Sequence, residues 1–180
     1  MAKFNFKELD KTVLPKTKGM RVDGHRFYNI NGTNYPSVTT VLGIRKTEQL
    51  KEWREKIGEK VANWEMGRAA RRGKSFHTLV EQYLKGETPS IRDVLPLGLF
   101  KLMKPYIDQI NNIHLLEAIM YSPKLTIAGQ VDCVAEYNGK LSVIDFKTAN
   151  KERQESWIEN YFLQTTAYAH MYEETFGTPI

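Results

Sequence analysis

The densest run of apolar positions lies between residues 125 and 148, and much of it is β-branched. Asn138-Gly139 interrupts this run near its middle, and such a pair is the strongest short signal for a tight β-hairpin. The pattern therefore predicts two antiparallel strands joined at this turn. A further strand is predicted over residues 113–121, and residues 21–36 carry a second hairpin signal at Asn31-Gly32.

Helical periodicity predicts three long helices, over residues 47–85, 99–110 and 152–176. Gly58 or Gly67 is expected to interrupt the first, which should stop at Gly86. Trp53 and Trp64 recur at helical spacing, so we interpret them as core residues rather than as platforms for bases.

The segment before these helices has weaker signals. Residues 1–20 contain four lysines and few apolar anchors, which indicates a loosely ordered basic arm. Ser37 or Thr39 is expected to cap a short helix that continues with Val41 and Leu42.

Composition limits the class of protein. The chain has 180 residues, 41% hydrophobic and 26% charged, as expected for one globular domain. Because it shows no membrane-spanning apolar run and no signal-peptide core, we expect a cytoplasmic protein. Its net charge of +5 favours a polyanionic partner. Cys133, the single cysteine, cannot form an internal disulfide and is expected to fill the core.

Charged residues interrupt the predicted hairpin: Asp132 on its first strand, Asp145 and Lys147 on its second. Strand side chains alternate between faces, so Asp145 and Lys147 emerge together, with Asp132 across the hairpin. A buried charge must be paired or bound to metal, and both neighbours are candidate partners of Asp145. Two adjacent carboxylates repel unless a cation lies between them, and such oxygen ligands suit Mg²⁺ or Mn²⁺.

Two further pairs share helical faces. His77 and Glu81 are four residues apart on the predicted helix that ends at Gly86, and Gln164 and Tyr168 are four apart on the last helix. A lone helical histidine is more often structural than catalytic, and helical tyrosines usually pack. The residues alone leave both interpretations open.

Gly129-x-x-Asp132, Asp145-x-Lys147 and Gln164-x-x-x-Tyr168, in this order, resemble the motifs of the PD-(D/E)XK nuclease superfamily, in its RecB-like branch. The segment is especially similar to the group of mitochondrial genome maintenance exonucleases and their phage relatives. Asp-x-Lys alone is frequent by chance, whereas the ordered set is specific. The resemblance implies an α/β fold with a restriction-endonuclease-like core, a mixed central β-sheet flanked by helices.

The resemblance also implies a metal-dependent DNA exonuclease that acts on single-stranded DNA in replication, recombination or repair, with an origin in a phage as one setting. The implied ligands of Mg²⁺ or Mn²⁺ are His77, Asp132, Asp145 and the backbone carbonyl of Phe146. Several relatives carry a four-cysteine iron–sulfur cluster, which this chain cannot build by itself.

The remaining implied roles concern the water and the DNA strand. Lys147 would orient or deprotonate the attacking water, and Gln164 and Tyr168 would support the site and contact DNA. Glu81, beside His77, and Glu117, on the strand before the hairpin, are secondary candidates near the metal.

The candidate DNA-contacting residues are polar or basic: Ser37, Thr39, Thr40, Arg68, Arg71, Arg72, Lys74, Thr148 and Lys151. The first three either cap a helix or donate to a DNA phosphate, and both interpretations stay open. The arginines precede the His77 helix, where a groove that follows the DNA backbone needs cations. Within one domain of residues 1–180, we assign 37–86 to a helical DNA-binding region and 113–177 to the catalytic core.

Two alternatives come from other classes. The first is an inactive DNA-binding module that works with a protein partner in a replication or recombination complex, against which the intact set of Asp132, Asp145 and Lys147 argues. The second is a structural protein in which Asp145 and Lys147 merely form a buried ion pair, which would not require His77 or Gln164. The family has further strands after the last helix, so we expect a truncated product or a smaller sheet.

Overall fold

The computed structural model describes residues 4–44, 47–90, 93–150 and 155–180, which form two antiparallel three-stranded sheets and five α-helices. The small sheet contains β1 (Gly19–Val22), β2 (His25–Ile30) and β3 (Thr33–Pro36). The main sheet contains β4 (Ile110–Ser122), β5 (Ile127–Tyr137) and β6 (Lys140–Ile144). The helices are α1 (Val38–Ile44), α2 (Thr47–Ile57), α3 (Glu59–Leu84), α4 (Val94–Ile107) and α5 (Glu155–Phe176). The predicted α/β class is confirmed.

Both predicted hairpins form, and their turn residues explain the geometry. Asn138 and Gly139 have φ values of 50° and 76°, and this left-handed pair joins β5 to β6 without splaying the strands. Asn31 and Gly32, with φ values of 51° and 84°, make the equivalent turn between β2 and β3. The small sheet has in addition β1, which the sequence pattern did not single out.

The main sheet is a meander in the order β4-β5-β6, and its described strands run antiparallel. The parallel component of the expected mixed sheet consists, among the described residues, of two isolated bridges, Phe6 with Ile113 and Ser37 with Ala128. The second bridge ties the residue before α1 to the start of β5, so the small sheet and α1 are anchored at one end of the main sheet.

The first described residues pack against β4. Phe4 is buried, with its ring centroid 5.3 Å from that of Tyr83, and the backbone groups of Asn5 and Lys7 exchange hydrogen bonds with Ile113. The expectation of a loose arm is therefore wrong for this segment. A single aromatic anchor and an unpaired strand edge outweigh the lysines that dominate its composition.

A glycine divides the long helical stretch, as predicted. Gly58 has a φ of 84° and separates α2 from α3, whereas Gly67 lies inside α3. The 26 residues of α3 extend for roughly 39 Å at 1.5 Å per residue. The helix ends before Gly86 and α5 ends before Gly177, with φ values of 75° and 70° at the two glycines.

The two halves of α3 have different surroundings. Leu79 and Val80 in its C-terminal half are fully buried, whereas Val61 and Trp64 in its N-terminal half are 51% and 56% exposed. The prediction that Trp64 packs in the core is wrong, because no described element covers that side of the helix. Trp53 on α2 is half-buried.

Two buried clusters hold the helices on the main sheet. One joins α3 and α4 to the sheet through residues that include Leu79, Phe100 and Cys133. The other joins α5 to the sheet through residues that include Met171 and Val131. Both clusters therefore meet at the middle of β5. α4 begins earlier than the predicted residue 99, and none of the described helices is both long and apolar enough to span a membrane.

Candidate active site

Three carboxylates lie side by side across the main sheet. Glu117 of β4 lies opposite Asp132 of β5, since the residues on either side of both are paired. Cys133 pairs with Ile144, the last residue of β6, so the next position brings Asp145 to the other side of Asp132. The antiparallel register thus gathers acids from three segments of the chain.

Asp132 is the central carboxylate and is only 9% exposed. Its Oδ2 accepts a hydrogen bond from the backbone N–H of Phe146 at 2.8 Å. Burial raises the pKa of Asp132 to about 6, and the charge of Asp145 adds to this, while His77 and the Phe146 N–H oppose it. Because an uncompensated buried carboxylate is unfavourable, this position favours a bound cation.

His77 approaches the carboxylates from α3. Its Nε2 is 2.7 Å from the carbonyl oxygen of Phe146, and its Nδ1 is 3.7 Å from Glu117 Oε1 and 3.6 Å from Asp132 Oδ2. When Nε2 donates to the carbonyl, the lone pair of Nδ1 faces two carboxylates. Glu117 is the main cause of a raised pKa of His77, with Asp132 and Phe146 adding to it against the effect of burial. A proton or a metal ion at Nδ1 is therefore favoured.

Glu117 adopts an unusual backbone conformation for a strand residue, with a φ of 50°. Its Oε2 accepts a hydrogen bond from Gln130 Nε2 at 2.7 Å, while Oε1 faces His77. Backbone strain of this kind concentrates at functional sites. The structure thus brings Glu117, a secondary candidate from the sequence, into the same group as His77 and Asp132.

These three side chains form a group that fits a divalent metal. One ligand atom from each of His77, Glu117 and Asp132 lies within 4.8 Å of the other two. Two carboxylates and one imidazole together can coordinate a divalent metal ion. Of the other predicted ligands, Asp145 and the Phe146 carbonyl border this group, and each is hydrogen-bonded or paired within the protein.

Asp145 and Lys147 form a close ion pair beside the buried acids. Lys147 Nζ is 2.5 Å from Asp145 Oδ2, and the two side chains are 37% and 5% exposed, respectively. Gln164 Nε2 donates to Asp145 Oδ1 at 3.1 Å, so both carboxylate oxygens have partners. Lys147 Nζ also lies 5.5 Å from the ring centroid of Tyr161. The amine of Lys147 is therefore held in one position at the surface of the site.

Tyr168 packs directly on the backbone of β5 at Gly129. A Cβ at Gly129 would lie 2.6 Å from Tyr168 Cε1 and 2.7 Å from its hydroxyl oxygen, so only glycine leaves room for the ring. Tyr168 is 2% exposed, and burial raises the pKa of its hydroxyl, which keeps the proton. This contact explains physically why the motif that ends at Asp132 begins with a glycine.

The predicted DNA-contacting cations of α3 are mostly on its surface. Arg68, Arg71 and Lys74 are exposed. The guanidinium of Arg68 lies 4.6 Å from the centroid of the Trp64 ring and also pairs with Glu65 at 3.2 Å. These side chains form an exposed basic and aromatic strip on the half of α3 that leads toward His77.

Arg72 differs from its neighbours, because it is only 8% exposed. It donates a hydrogen bond to Asn150 and, at 3.5 Å, one to Thr148, which is one of the candidate DNA-contacting residues. Arg72 therefore links α3 to the segment that follows Lys147. Lys151, the last predicted contact, lies outside the described residues.

The hydroxyl residues at the start of α1 have mainly internal partners. Ser37 Oγ accepts the N–H of Thr40 at 3.0 Å, which caps the helix, and Ser37 is 2% exposed. Thr40 Oγ1 accepts the Arg26 N–H at 3.0 Å and donates to the Arg26 carbonyl at 3.1 Å. Thr39 is exposed. The Thr39 hydroxyl lies 3.0 Å from Ser37 Oγ, within hydrogen-bond distance. The capping interpretation thus accounts for Ser37, and Thr39 is hydrogen-bonded to the same hydroxyl.

Sequence reasoning missed Gln130, whose Nε2 donates to Glu117 and so orients this carboxylate. Gln130 has no sequence signal, because a polar residue on a strand is usually solvated. Glu81, one turn after His77, instead pairs with Lys85 at 2.6 Å.

A cavity of about 620 Å³ opens beside the ion pair of Asp145 and Lys147. Its other lining residues are mostly apolar or aromatic and come from α3, α4, α5 and the β5–β6 hairpin: Phe76, Met103, Tyr137, Ser142, Val143, Ile144, Phe146, Tyr161, Phe162 and Thr165. A largely apolar cavity with a few polar groups at one side is typical of a ligand site.

Comparison with curated proteins finds exonucleases. The chain is 33% identical over 147 residues to mitochondrial genome maintenance exonuclease 1 of Homo sapiens, which covers 74% of this chain and 42% of the relative. It is 31% identical over 146 residues to the protein of the same name from Mus musculus, which covers 74% of this chain and 43% of the relative. The chain thus spans less than half the length of these relatives.

A family model agrees with these relatives. Residues 105–179, from the end of α4 through α5, match the model described as the PD-(D/E)XK nuclease superfamily. The matched segment contains all three carboxylates, Lys147 and the pair of Gln164 and Tyr168. The family match thus connects the motifs of the main sheet and α5 with the PD-(D/E)XK nuclease superfamily, and the chain is homologous to the exonucleases over most of its length.

Proposed function

We propose that this chain is a metal-dependent deoxyribonuclease that hydrolyses single-stranded DNA from its ends, in DNA replication, recombination or repair. The observation that carries the proposal is the meeting of three carboxylates, His77 and Lys147 in one site. The names of the curated relatives support DNA as the substrate and exonucleolytic cleavage as the reaction.

The residues present fit a divalent cation. His77, Glu117 and Asp132 would hold Mg²⁺ or Mn²⁺. Asp145 and the Phe146 carbonyl, the other ligands that the resemblance implies, border this group and have partners within the protein. The negative charge of this group and its burial support a cation of charge two. When bound, the ion supplies positive charge at the scissile phosphate and lowers the pKa of a coordinated water.

Lys147 is the residue that we assign to the attacking water. Its amine is partly exposed, and the ion pair with Asp145 fixes its position. From there the ammonium would orient the water and offset negative charge that develops on the phosphate, or, after losing its own proton, the neutral amine would deprotonate the water. Gln164 holds the Asp145 carboxylate in place, and Tyr168 packs against Gly129 behind it.

The exposed basic and aromatic strip on α3 supports binding of a DNA strand without regard to its base sequence. Arg68, Arg71 and Lys74 offer charges to the DNA backbone, and the exposed Trp64 offers a ring on which a base can stack. Exposed aromatic rings distinguish unpaired bases, whose faces are open, from the stacked bases of a duplex. Thr39, Thr148 and Lys151 would add contacts at the edges of the site.

The test is incubation of the chain with end-labelled linear single-stranded DNA, circular single-stranded DNA and duplex DNA, each with Mg²⁺, Mn²⁺ or a chelator. We expect metal-dependent loss of the linear strand while the circle persists. Lys147→Ala should abolish this loss. Lys140→Ala removes an exposed lysine at the start of β6, next to the turn of the same hairpin, and should leave the rate unchanged.

The other outcomes contradict parts of the proposal. Cleavage of the circle would exclude a strict exonuclease, and loss of DNA in the chelator would exclude a required metal. Salt-sensitive binding without cleavage would favour the DNA-binding module that acts with a protein partner.

A further inference from the structure

A second charged site lies between the β1–β2 hairpin and α1. It is a cavity of about 410 Å³. Its polar lining consists of Arg21, His25, Arg26, Thr39, Thr40 and Thr47, and none of its described lining residues is acidic. The cavity is therefore suited to an anion.

The two arginines face each other across the hairpin. Arg21 on β1 is the direct register partner of Arg26 on β2. Like charges directly opposite each other destabilise a sheet. Within the described parts of the chain, neither guanidinium forms an ion pair with a carboxylate. Folding alone gives no reason for this arrangement, whereas a bound anion does.

The walls of the cavity are fixed, and its space is open. Arg21 Nη1 donates to the Gly24 carbonyl at 3.1 Å, which holds this side chain at the turn. The hydrogen bonds between Thr40 and the backbone of Arg26 lock α1 to the hairpin. A Cβ at Gly43 would meet no atom within 4 Å. The guanidinium donors that these bonds leave unused are thus available to a ligand.

We propose that this cavity binds the terminal phosphate of the DNA strand, a phosphomonoester. A monoester carries about −1.5 to −2 charges at pH 7, against one charge for an internal phosphate, so it matches two opposed guanidiniums. Arg is also the side chain that binds phosphate oxygens with two parallel hydrogen bonds. The inference deepens the proposed function and rests on it, because it names the DNA end as the recognised feature.

The cavity and the carboxylates are joined by the main sheet. Ser37, which precedes α1, bridges to Ala128 on β5, and Asp132 follows four residues later. Ala128 and Asp132 are roughly 13 Å apart along the strand at about 3.3 Å per residue. Because none of the residues that line the cavity belongs to the carboxylate group, the bound phosphate and the reacting phosphate are different members of one DNA strand.

The experiment measures binding without turnover. Labelled oligothymidylates that carry a 5′-phosphate, a 3′-phosphate or hydroxyl groups at both ends are titrated with the full chain in a chelator, by fluorescence anisotropy at fixed salt. We expect one phosphorylated end to bind roughly tenfold more tightly than the hydroxyl end, the effect of one or two charge-assisted hydrogen bonds. The two phosphorylated oligonucleotides show which end the cavity recognises.

Variants assign the effect to the cavity. Arg21→Gln and Arg26→Gln should each remove the preference for the phosphorylated end, while Lys140→Gln, a matched loss of one exposed charge, should keep it. Equal binding of all three oligonucleotides would overturn the inference, and so would a preference that survives in both arginine variants. Melting curves check that each variant is folded.

This design separates the inference from the proposed function. If the chain cleaves DNA but ignores the terminal phosphate, the inference alone fails. If it prefers a phosphorylated end but cleaves nothing with any metal, the proposed hydrolysis fails while the cavity remains an end-binding site.

Discussion

The carboxylate group at the centre of the main sheet and the basic cavity beside the small sheet are electrostatic opposites. In the first, buried acids converge with Lys147 as the nearest permanent cation. In the second, two arginines oppose each other with no described carboxylate as partner. Each region carries an excess of one charge that the fold does not neutralise.

The difference between the regions lies in burial. Asp132 is 9% exposed, and a carboxylate at that depth interacts strongly with anything nearby. Arg21 and Arg26 are exposed, so water and salt weaken their repulsion. Unneutralised charge indicates a ligand in both places, but only the buried group should dominate stability and chemistry. The following changes test that contrast.

The largest effect should come from Asp132→Asn. We expect this change to abolish the rise in Tm that Mg²⁺ or Mn²⁺ gives to the native protein, because a ligand stabilises only the state that binds it. Cleavage should fall on the order of a thousandfold as the charge at the reacting phosphate is lost. Thermal melting with and without metal, and rates on labelled DNA, measure both. Glu173→Gln on the exposed surface of α5 is the control, and a full metal-dependent shift in Asp132→Asn would show that the ion binds elsewhere.

Two glycine substitutions compare the packing of the regions. Gly129→Ala should lower the free energy of unfolding by about 1–3 kcal/mol, because its methyl group would collide with Tyr168. Gly43→Ala, beside the basic cavity, meets open space and should raise it by up to about 1 kcal/mol through better helix propensity. Urea denaturation measures both values. Equal effects would mean that the ring of Tyr168 moves aside freely.

Removing one arginine should relieve the repulsion in the small sheet. We expect Arg26→Gln to raise the free energy of unfolding by roughly 0.2–1 kcal/mol at low salt. Because salt screens exposed charges, this gain should shrink as ionic strength rises. Urea denaturation at two salt concentrations tests this, with Lys140→Gln as the matched loss of charge. A destabilised Arg26→Gln at low salt would contradict the idea of uncompensated repulsion.

The smallest effect concerns a histidine that belongs to neither region. His114 is buried with its Nδ1 2.5 Å from the Tyr172 hydroxyl, and burial, followed by the charge of Lys7, lowers its pKa against a smaller opposite effect of Glu136. The folded state therefore binds fewer protons than the unfolded state below the ordinary value of 6.5. Stability should be independent of this group above that pH and fall below it.

His114→Gln should remove that part of the acid dependence. Urea denaturation between pH 5 and 8 compares the variant with the native chain. An identical pH profile would show that His114 takes up a proton in the folded state as readily as in the unfolded state. The pH profile of His114→Gln also shows the acid dependence that remains when His114 is absent, to which the carboxylate region contributes.

The elements of the site were predictable because their signals are local. The Asn138-Gly139 turn, the alternation around it and the four-residue spacing of Gln164 and Tyr168 depend only on near neighbours in the chain. Those signals also carried the resemblance that the homology and the family match confirm. The position of Glu117 opposite Asp132 was not predictable, because it depends on the register of two strands that no short motif fixes.

Burial along α3 is a second feature that the sequence could not predict. Large apolar residues recur at helical spacing in both of its halves, and yet Leu79 is fully buried and Trp64 is mostly exposed. Arg72 lies among exposed cations in the sequence but inserts beneath the segment after Lys147. Periodicity defines which residues share a helical face, but not whether another element covers it.

The sequence by itself thus determined the strands β2 to β6, the helices and their glycine ends, since each follows from local backbone preference, and the order of the acid, lysine and tyrosine motifs can be read directly from it. Only the tertiary structure decided which charges are buried and which lack a partner: the raised pKa of Asp132, the approach of Glu117 to His77, and the opposed arginines of the small sheet. The physical reason is that desolvation and Coulomb interaction depend on distance in space, and residues far apart in the chain supply the atoms that set them.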